Sequence, residues 1–177
     1  MNLGIGLART GKKVLLVDAD AQGSMAVSLG VVEPDNLDHI IVSIMEKVIN
    51  DESIDDNEGI MHHEEGVDFI PANIELAGLE TALVGVMSRE FVLKLYLDRI
   101  KNKYDYILID CMPSLGMVTI NALVAAYVLI PVEAAYNVDN QSFRELKEGE
   151  KGILTYQGTR YLGVKIILYS CISSCIL

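Results

Sequence analysis

The sequence has no tryptophan, only four prolines and only three cysteines. Three cysteines do not make a disulfide framework, so we expect a protein of the reducing cytoplasm. Basic residues are also scarce, because 14 lysines and arginines stand against 25 aspartates and glutamates. Since binding to nucleic-acid phosphates depends on basic side chains, this balance argues against a general nucleic-acid-binding surface. No apolar run reaches the ~20 residues of a membrane span, so we expect no membrane partner.

What is abundant is apolar sequence, which makes up 51% of the 177 residues and suffices for one domain with a substantial core. Apolar strand-like runs alternate with segments of helical periodicity. This order predicts an α/β fold in three layers, α/β/α, with a mostly parallel sheet. Asn2 to Arg9 is typical of the end of a helix, with Gly11 as its left-handed C-cap, so the chain is expected to start inside a βαβ unit.

The periodicity also predicts where individual elements lie. We expect a helix over Leu37 to Asn50, then an acidic loop from Asp51 to Gly66. Ser88 is a candidate N-cap for a helix that runs to about Lys101. A strand from Leu162 to Tyr169 is expected to be the last one.

Two segments combine a buried strand with an acidic end. Val14 to Asp18 is apolar up to Asp18, and Asp20 and Gly23 follow; Tyr106 to Asp110 is built in the same way. Ligands of open α/β sheets bind just beyond the carboxyl ends of the strands, so these carboxylates predict a site for a hard cation with a polyanion. The alternative is that each aspartate only caps backbone N–H groups in a turn.

Two further clusters allow a metal-binding interpretation. His62 and His63 precede two glutamates, but adjacent histidines in an acidic loop are usually solvated. Cys171 and Cys175 would share a face of a helix, but without a second pair they favour unligated cysteines near the chain end.

The strand-end motifs carry a resemblance to a known family. Val-Leu-Leu-Val-Asp-Ala-Asp-x-Gln-Gly, Tyr-Asp-Tyr-Ile-Leu-Ile-Asp-Cys-x-Pro-Ser-Leu-Gly and a later Ile-Pro-Val together resemble the ParA/Soj family of deviant-Walker partition ATPases. The similarity runs from about Asn2 to about Tyr136. It implies a P-loop NTPase-like fold, ATP and Mg²⁺ as cofactors, a homodimer or full-length homologue as partner, a ParB-like partner protein, and nonspecific DNA binding.

The resemblance also implies roles for individual residues. Asp110 matches the residue that holds Mg²⁺ through water, and Asp20 matches the carboxylate that positions the attacking water. Asp18 would lie nearer the metal shell. The remaining matches would lie near the nucleotide. Gly116 would lie beside the γ-phosphate, and the adenine would lie near Pro131, Val132 and Glu133.

The departures from the family pattern set further expectations. The 177 residues contain no Lys-Gly-Gly-x-Gly-Lys-Thr segment, the loop that cradles phosphates in the family. We therefore interpret residues 1–177 as one incomplete domain, with a divergent part from 137 to 177, that hydrolyses ATP poorly. The alternative is a noncatalytic interaction module that binds a full-length homologue or a partition partner through its helices. A MinD-like membrane-site ATPase is disfavoured because no basic amphipathic helix follows Arg160.

Overall fold

The computed structural model describes residues 1–112 and 116–126, and beyond these the backbone of four strands within 128–172. In chain order the helices are α1 (Asn2–Ala8), α2 (Ser24–Ser28), α3 (Ile41–Ile49), α4 (Leu76–Ala82), α5 (Val92–Ile100) and α6 (Met117–Ala125). The strands are β1 (Val14–Ala19), β2 (Met61–His63), β3 (Val67–Ile70), β4 (Tyr106–Cys111), β5 (Val128–Glu133), β6 (Ile153–Tyr156), β7 (Thr159–Leu162) and β8 (Ile166–Ile172).

Six strands form one sheet in the order β2-β3-β1-β4-β8-β5. All neighbours are parallel except β2, which pairs antiparallel with β3 at one edge. β6 and β7 form a separate antiparallel pair. The mostly parallel α/β architecture predicted from the sequence is confirmed. The five parallel strands all end on the same side of the sheet, and this side, where the carboxyl ends meet, is the edge that carries the acidic residues.

Alternate residues of β1 enter two different cores, as the period of a strand requires. Leu15 and Val17 pack in a large cluster with residues of α3, α5 and α6. Leu16 faces the opposite side and packs in a smaller cluster with Leu7 of α1 and Met25 of α2. A strand that is apolar on both faces therefore becomes the middle layer of a three-layer structure.

Several element boundaries differ from the sequence prediction. The helix expected from Leu37 begins only at Ile41, and the loop expected from Asp51 to Gly66 contains β2. Ser88 does not cap a helix with its side chain: its φ is +54°, it precedes a short 3₁₀ turn, and α5 begins at Val92. Short edge strands such as β2 depend on pairing with a distant strand, which local periodicity does not record.

The strand expected from Leu162 to Tyr169 lies further along the chain, as β8. β8 lies between β4 and β5 and runs parallel to both, so Tyr169 is the register partner of Asp110 on one side and of Ile130 on the other. Cys171 lies within this strand, which contradicts the helical pairing considered for Cys171 and Cys175. Cys175 and most of the divergent part from 137 to 177 lie outside the described residues.

Candidate functional site

Asp18 and Asp110 occupy the same level on neighbouring strands. They are register partners in the parallel pair of β1 and β4, at the carboxyl end of each strand. Adjacent strands lie about 4.8 Å apart, so the two carboxylates leave the sheet side by side. The two motifs found in the sequence therefore meet at a single edge of the sheet.

The Asp18 side chain is buried, with 1% of its surface exposed. One carboxylate oxygen accepts a hydrogen bond from the Asp20 N–H at 3.1 Å, and the other accepts one from the Met25 N–H at 3.3 Å. Burial raises the pKa of Asp18 to about 7, against the hydrogen bond from Asp20, and the negative charges of Asp110 and Asp20 raise it further. A carboxyl group in this environment favours a bound proton or a bound cation.

Asp20 lies on the turn that follows β1. Its carboxylate accepts a hydrogen bond from the Gln22 N–H at 2.9 Å, which is the turn-capping role considered as the alternative for this residue. The turn closes at Gly23, where φ is +60° and where an added Cβ would lie 2.8 Å from the Ala72 carbonyl oxygen. Asp20 is thus held on a tight turn that packs directly against the segment after β3.

Asp110 is half-buried, and its pKa depends on the charged groups around it. Burial raises the pKa of Asp110, the α-amino group of Met1 lowers it, and the charge of Asp20 raises it. Because Asp20 acts on the pKa of both Asp18 and Asp110, the three carboxylates form one electrostatic cluster. The structure brings together the three acidic residues that the sequence singled out, and their chemical roles stay predictions.

A cavity of about 230 Å³ lies at the same end of the sheet, on the face of Ala19 and thus opposite to the face that carries the Asp18 and Asp110 side chains. Its wall includes Ala19 and Ala21, which flank Asp20, and Met112, which follows the Asp110 strand. Gly116 and Glu80 also line it. The cavity therefore contacts residues next to both acidic motifs, while Asp18, Asp20 and Asp110 are not among its lining residues.

Glu80 is a site residue that the sequence analysis did not single out. Its carboxylate accepts hydrogen bonds from the N–H groups of Met117 and Val118, at 2.6 and 3.0 Å, and so caps the start of α6. These partners lie 37 and 38 residues away in the sequence, so no local pattern marks the contact. The Ala-Gly-Leu-Glu stretch on α4 carries only a weak helical pattern.

The remaining predicted residues lie at the same edge of the sheet but further from the cluster. Pro131, Val132 and Glu133 form the carboxyl end of β5, which is separated from β4 by β8. Two strand spacings correspond to about 10 Å, a distance that one bound nucleotide could span. Residues 113–115, between Asp110 and Gly116, lie outside the described residues.

The donor set fits a hard cation that keeps most of its water. Within 1–112 and 116–126, no three His, Cys, Asp or Glu side chains are placed to enclose a metal ion. Mg²⁺ is commonly held by one or two carboxylates and several waters, which the desolvated pair of Asp18 and Asp110 can provide. His62 contacts Asp68 at 2.7 Å, and both histidines lie in β2, the outermost strand of the sheet.

No helix in the described part of the chain combines the length and apolar character needed to cross a lipid bilayer.

A mostly parallel sheet that gathers carboxylates at the carboxyl ends of its strands defines an α/β protein of the doubly wound class, in which ligands bind at those ends. Comparison with known proteins gives the family. The family model described as AAA domain matches residues 1–147, so the chain belongs to this family.

Curated relatives agree with this assignment. The chain is 45% identical over 141 residues to the sporulation initiation inhibitor protein Soj of Bacillus subtilis, covering 77% of this chain and 52% of Soj. It is 40% identical over 139 residues to the chromosome partitioning protein ParA of Myxococcus xanthus, covering 77% of this chain and 47% of ParA. The ParA/Soj resemblance is thereby confirmed, and the chain spans about half the length of these relatives.

Solved structures give the same fold. Cobyrinic acid a,c-diamide synthase from Mycobacterium smegmatis, crystallised with ADP and magnesium, superposes with a TM-score of 0.66 and 31% identity, covering 94% of this chain and 63% of that one. A Borrelia burgdorferi protein named for plasmid partition, bound to AMPPNP, gives a TM-score of 0.60 and 26% identity, covering 96% and 67%. These likenesses confirm the P-loop NTPase-like fold expected from the sequence.

Proposed function

We propose that the chain is a ParA-like partition ATPase domain that binds a magnesium nucleotide at the edge formed by Asp18, Asp20 and Asp110. The observation that carries the proposal is the electrostatic cluster of these three carboxylates at the carboxyl ends of neighbouring parallel strands. Relatives named Soj and ParA, and neighbours crystallised with ADP, magnesium or AMPPNP, support it.

In this proposal each carboxylate has a separate task. Asp110 would hold Mg²⁺ through the water molecules bound to the ion. Asp18 would stabilise the bound cation by supplying a second, desolvated negative charge. Asp20, on its tight turn, orients the water that attacks the terminal phosphate. Bound Mg²⁺ would neutralise charge on the phosphates, while the chain's own residues orient the water and limit its motion.

The proposal also covers assembly with partners, and it includes a reduced ATPase activity for this chain. Hydrolysis would be coupled to dimerisation, to a ParB-like partner and to DNA segregation, as the ParA/Soj resemblance implies. Since the 177 residues contain no phosphate-cradling glycine loop, the polypeptide itself is proposed to have impaired ATP binding. Cation binding and nucleotide turnover therefore become separable properties of this chain.

The first test measures cation binding and turnover in the purified 177-residue chain. Mn²⁺, used as an electron-paramagnetic-resonance probe for Mg²⁺, is expected to bind and to be displaced by Mg²⁺. Asp110→Asn should weaken Mn²⁺ binding about tenfold, because a half-buried ligand charge is lost. Asp38→Asn, at an exposed position, is the matched control and should leave the affinity unchanged.

Two results would contradict the proposal. Equal Mn²⁺ affinity in the parent chain, Asp110→Asn and Asp38→Asn would remove the cation site. Magnesium-dependent ATP turnover by the parent chain, abolished in Asp20→Ala, would show that the impairment is wrong while supporting the assigned role of Asp20.

A second candidate function is a noncatalytic interaction module. One observation favours it: the outward face of α5 and the turn before it expose apolar side chains, with Phe91 42% and Leu95 56% exposed. Such a surface suits a homologue or partition partner. A pull-down with a full-length homologue that is independent of nucleotide and is lost in Leu95→Glu would favour this function; strict dependence on ATP would favour the ATPase.

A further inference from the structure

The start of α6 is capped from another helix. The N–H groups in the first turn of a helix have no acceptor within that helix, and a side chain at the N-cap usually supplies one. The N-cap here is Gly116, which has no side chain. Glu80 of α4 takes over the role with both carboxylate oxygens, and its negative charge also suits the positive end of the helix.

The same carboxylate lies against Gly116 itself. A Cβ atom added to Gly116 would lie 2.4 Å from Glu80 Oε1 and 2.8 Å from Glu80 Cδ. The backbone of Gly116 is extended, with a φ of −68°, so the glycine is not required by a left-handed conformation. The space for a side chain at position 116 is therefore limited by the Glu80 carboxylate, which would have to leave its two hydrogen bonds to make room for a methyl group.

This contact lies close to the candidate site in the fold. Glu80 and Gly116 share the cavity wall with Ala19 and Ala21, the neighbours of Asp20, and with Met112 of the segment that leaves Asp110. Asp110 is fixed by the pairing of β4, and the start of α6 is fixed by Glu80. A shift of Glu80 would move Gly116 relative to the Asp110 carboxylate.

We propose that Glu80 is a positioning residue that sets the place of Gly116 and of the first turn of α6 beside the carboxylate cluster. This proposal rests on the proposed function for its effect on nucleotides, because Gly116 matches the segment next to the γ-phosphate. The energetic coupling between Glu80 and Gly116, in contrast, can be measured without any nucleotide.

The first experiment measures that coupling in the full 177-residue chain. Glu80→Gln keeps the shape but has only one acceptor oxygen, so hydrogen–deuterium exchange at the Met117 and Val118 amides should rise about tenfold or more. Glu75→Gln changes the same charge at an exposed position before α4 and should leave this exchange unchanged.

A double-mutant cycle completes this experiment. Gly116→Ala should lower Tm by about 5 °C because the new methyl group displaces the carboxylate. In a Glu80→Ala background, where the methyl group has room, the same change should cost less than half as much. Equal costs in the two backgrounds would overturn the proposal.

The second experiment uses a property that mere stabilisation would not change. With Mg²⁺ present, Glu80→Gln should weaken binding of AMPPNP about tenfold but binding of ADP by less than about twofold, since only the former carries a γ-phosphate. Equal weakening of both ligands would reduce Glu80 to a structural cap and overturn the positioning role. If the parent chain binds neither ligand while positions 80 and 116 are coupled, the proposed function fails for this chain and the positioning contact stands.

Discussion

Replacing Asn121 with leucine is expected to destabilise the protein by about 4 kcal/mol. Asn121 is fully buried in α6, and each half of its amide group has a partner. The oxygen accepts a hydrogen bond from the Leu93 N–H at 3.0 Å, and the nitrogen donates to the carbonyl oxygens of Arg89 and Met117 at 2.8 and 2.9 Å. Leucine leaves the buried Leu93 N–H and the part-buried Arg89 carbonyl oxygen without this partner, at a cost of about 1–3 kcal/mol each.

The substitution first weakens the contact between α5 and α6. Asn121 supplies the acceptor at the start of α5 that Ser88 does not provide, and so it holds α5 against α6. Since total stabilities are about 5–15 kcal/mol, a loss of this size leaves a marginal protein. Urea unfolding at neutral pH measures it as a lower midpoint with an unchanged slope.

The control lies on the same helix. Leu123 is 42% exposed, and Leu123→Ala should change the free energy of unfolding by less than about 0.5 kcal/mol. Asn121→Asp keeps the size and one acceptor but cannot donate, so it should also destabilise strongly. An Asn121→Leu variant within about 1 kcal/mol of the parent would show that these hydrogen bonds are not maintained in solution.

The second large effect is a dependence of stability on pH that comes from Asp18. Its pKa is about 7 in the folded protein, against an ordinary value of 3.8. Between these two values the folded state holds a proton that the unfolded state has released, so stability falls as pH rises from about 4 to about 7. Above pH 7 both states are ionised, and the full cost of about 4 kcal/mol remains.

Asp18→Asn removes the titrating group and is expected to remove this slope. The free energy of unfolding of the parent should fall by about 3 kcal/mol more than that of the variant between pH 5 and pH 8. Other titrating groups cancel in this difference, and Asp38→Asn serves as the exposed control. Added Mg²⁺ should flatten the parent curve, because a cation lowers the pKa of a carboxyl group that it contacts.

The measurement is urea unfolding of the parent and both variants at pH 5, 6, 7 and 8. Parallel curves for the parent and Asp18→Asn would mean that the Asp18 carboxyl is solvated, and the argument for a desolvated cation site would fail with it.

The acidic cluster was predictable from the sequence, and its surroundings were not. Asp18 and Asp110 end apolar runs, and the physics of parallel sheets brings such ends to one edge. Glu80 and Asn121 act on backbone groups about thirty residues away or more, so their contacts depend on how helices pack. The periodicity of α3 was visible, but it does not show that the segment from Leu37 to Ile40 stays outside the helix.

The position of β8 was also beyond local reasoning. Its apolar run predicted a strand, but nothing in the run identifies β4 and β5 as its neighbours. Hydrophobicity places a strand within a sheet, while its order in the sheet is decided by crossovers and by competition among strands.

That order has a consequence for biosynthesis. β4, α6 and β5 are synthesised well before β8. Until β8 is made, the backbone N–H and C=O groups of β4 on the side away from β1 have no strand partner. Chains whose sheet closes through pairings remote in sequence fold slowly and expose unpaired strands to aggregation in the meantime. The Asp18–Asp110 pair can form with β1 and β4 alone, but the sheet beside Asp110 is completed only after β8 has been synthesised.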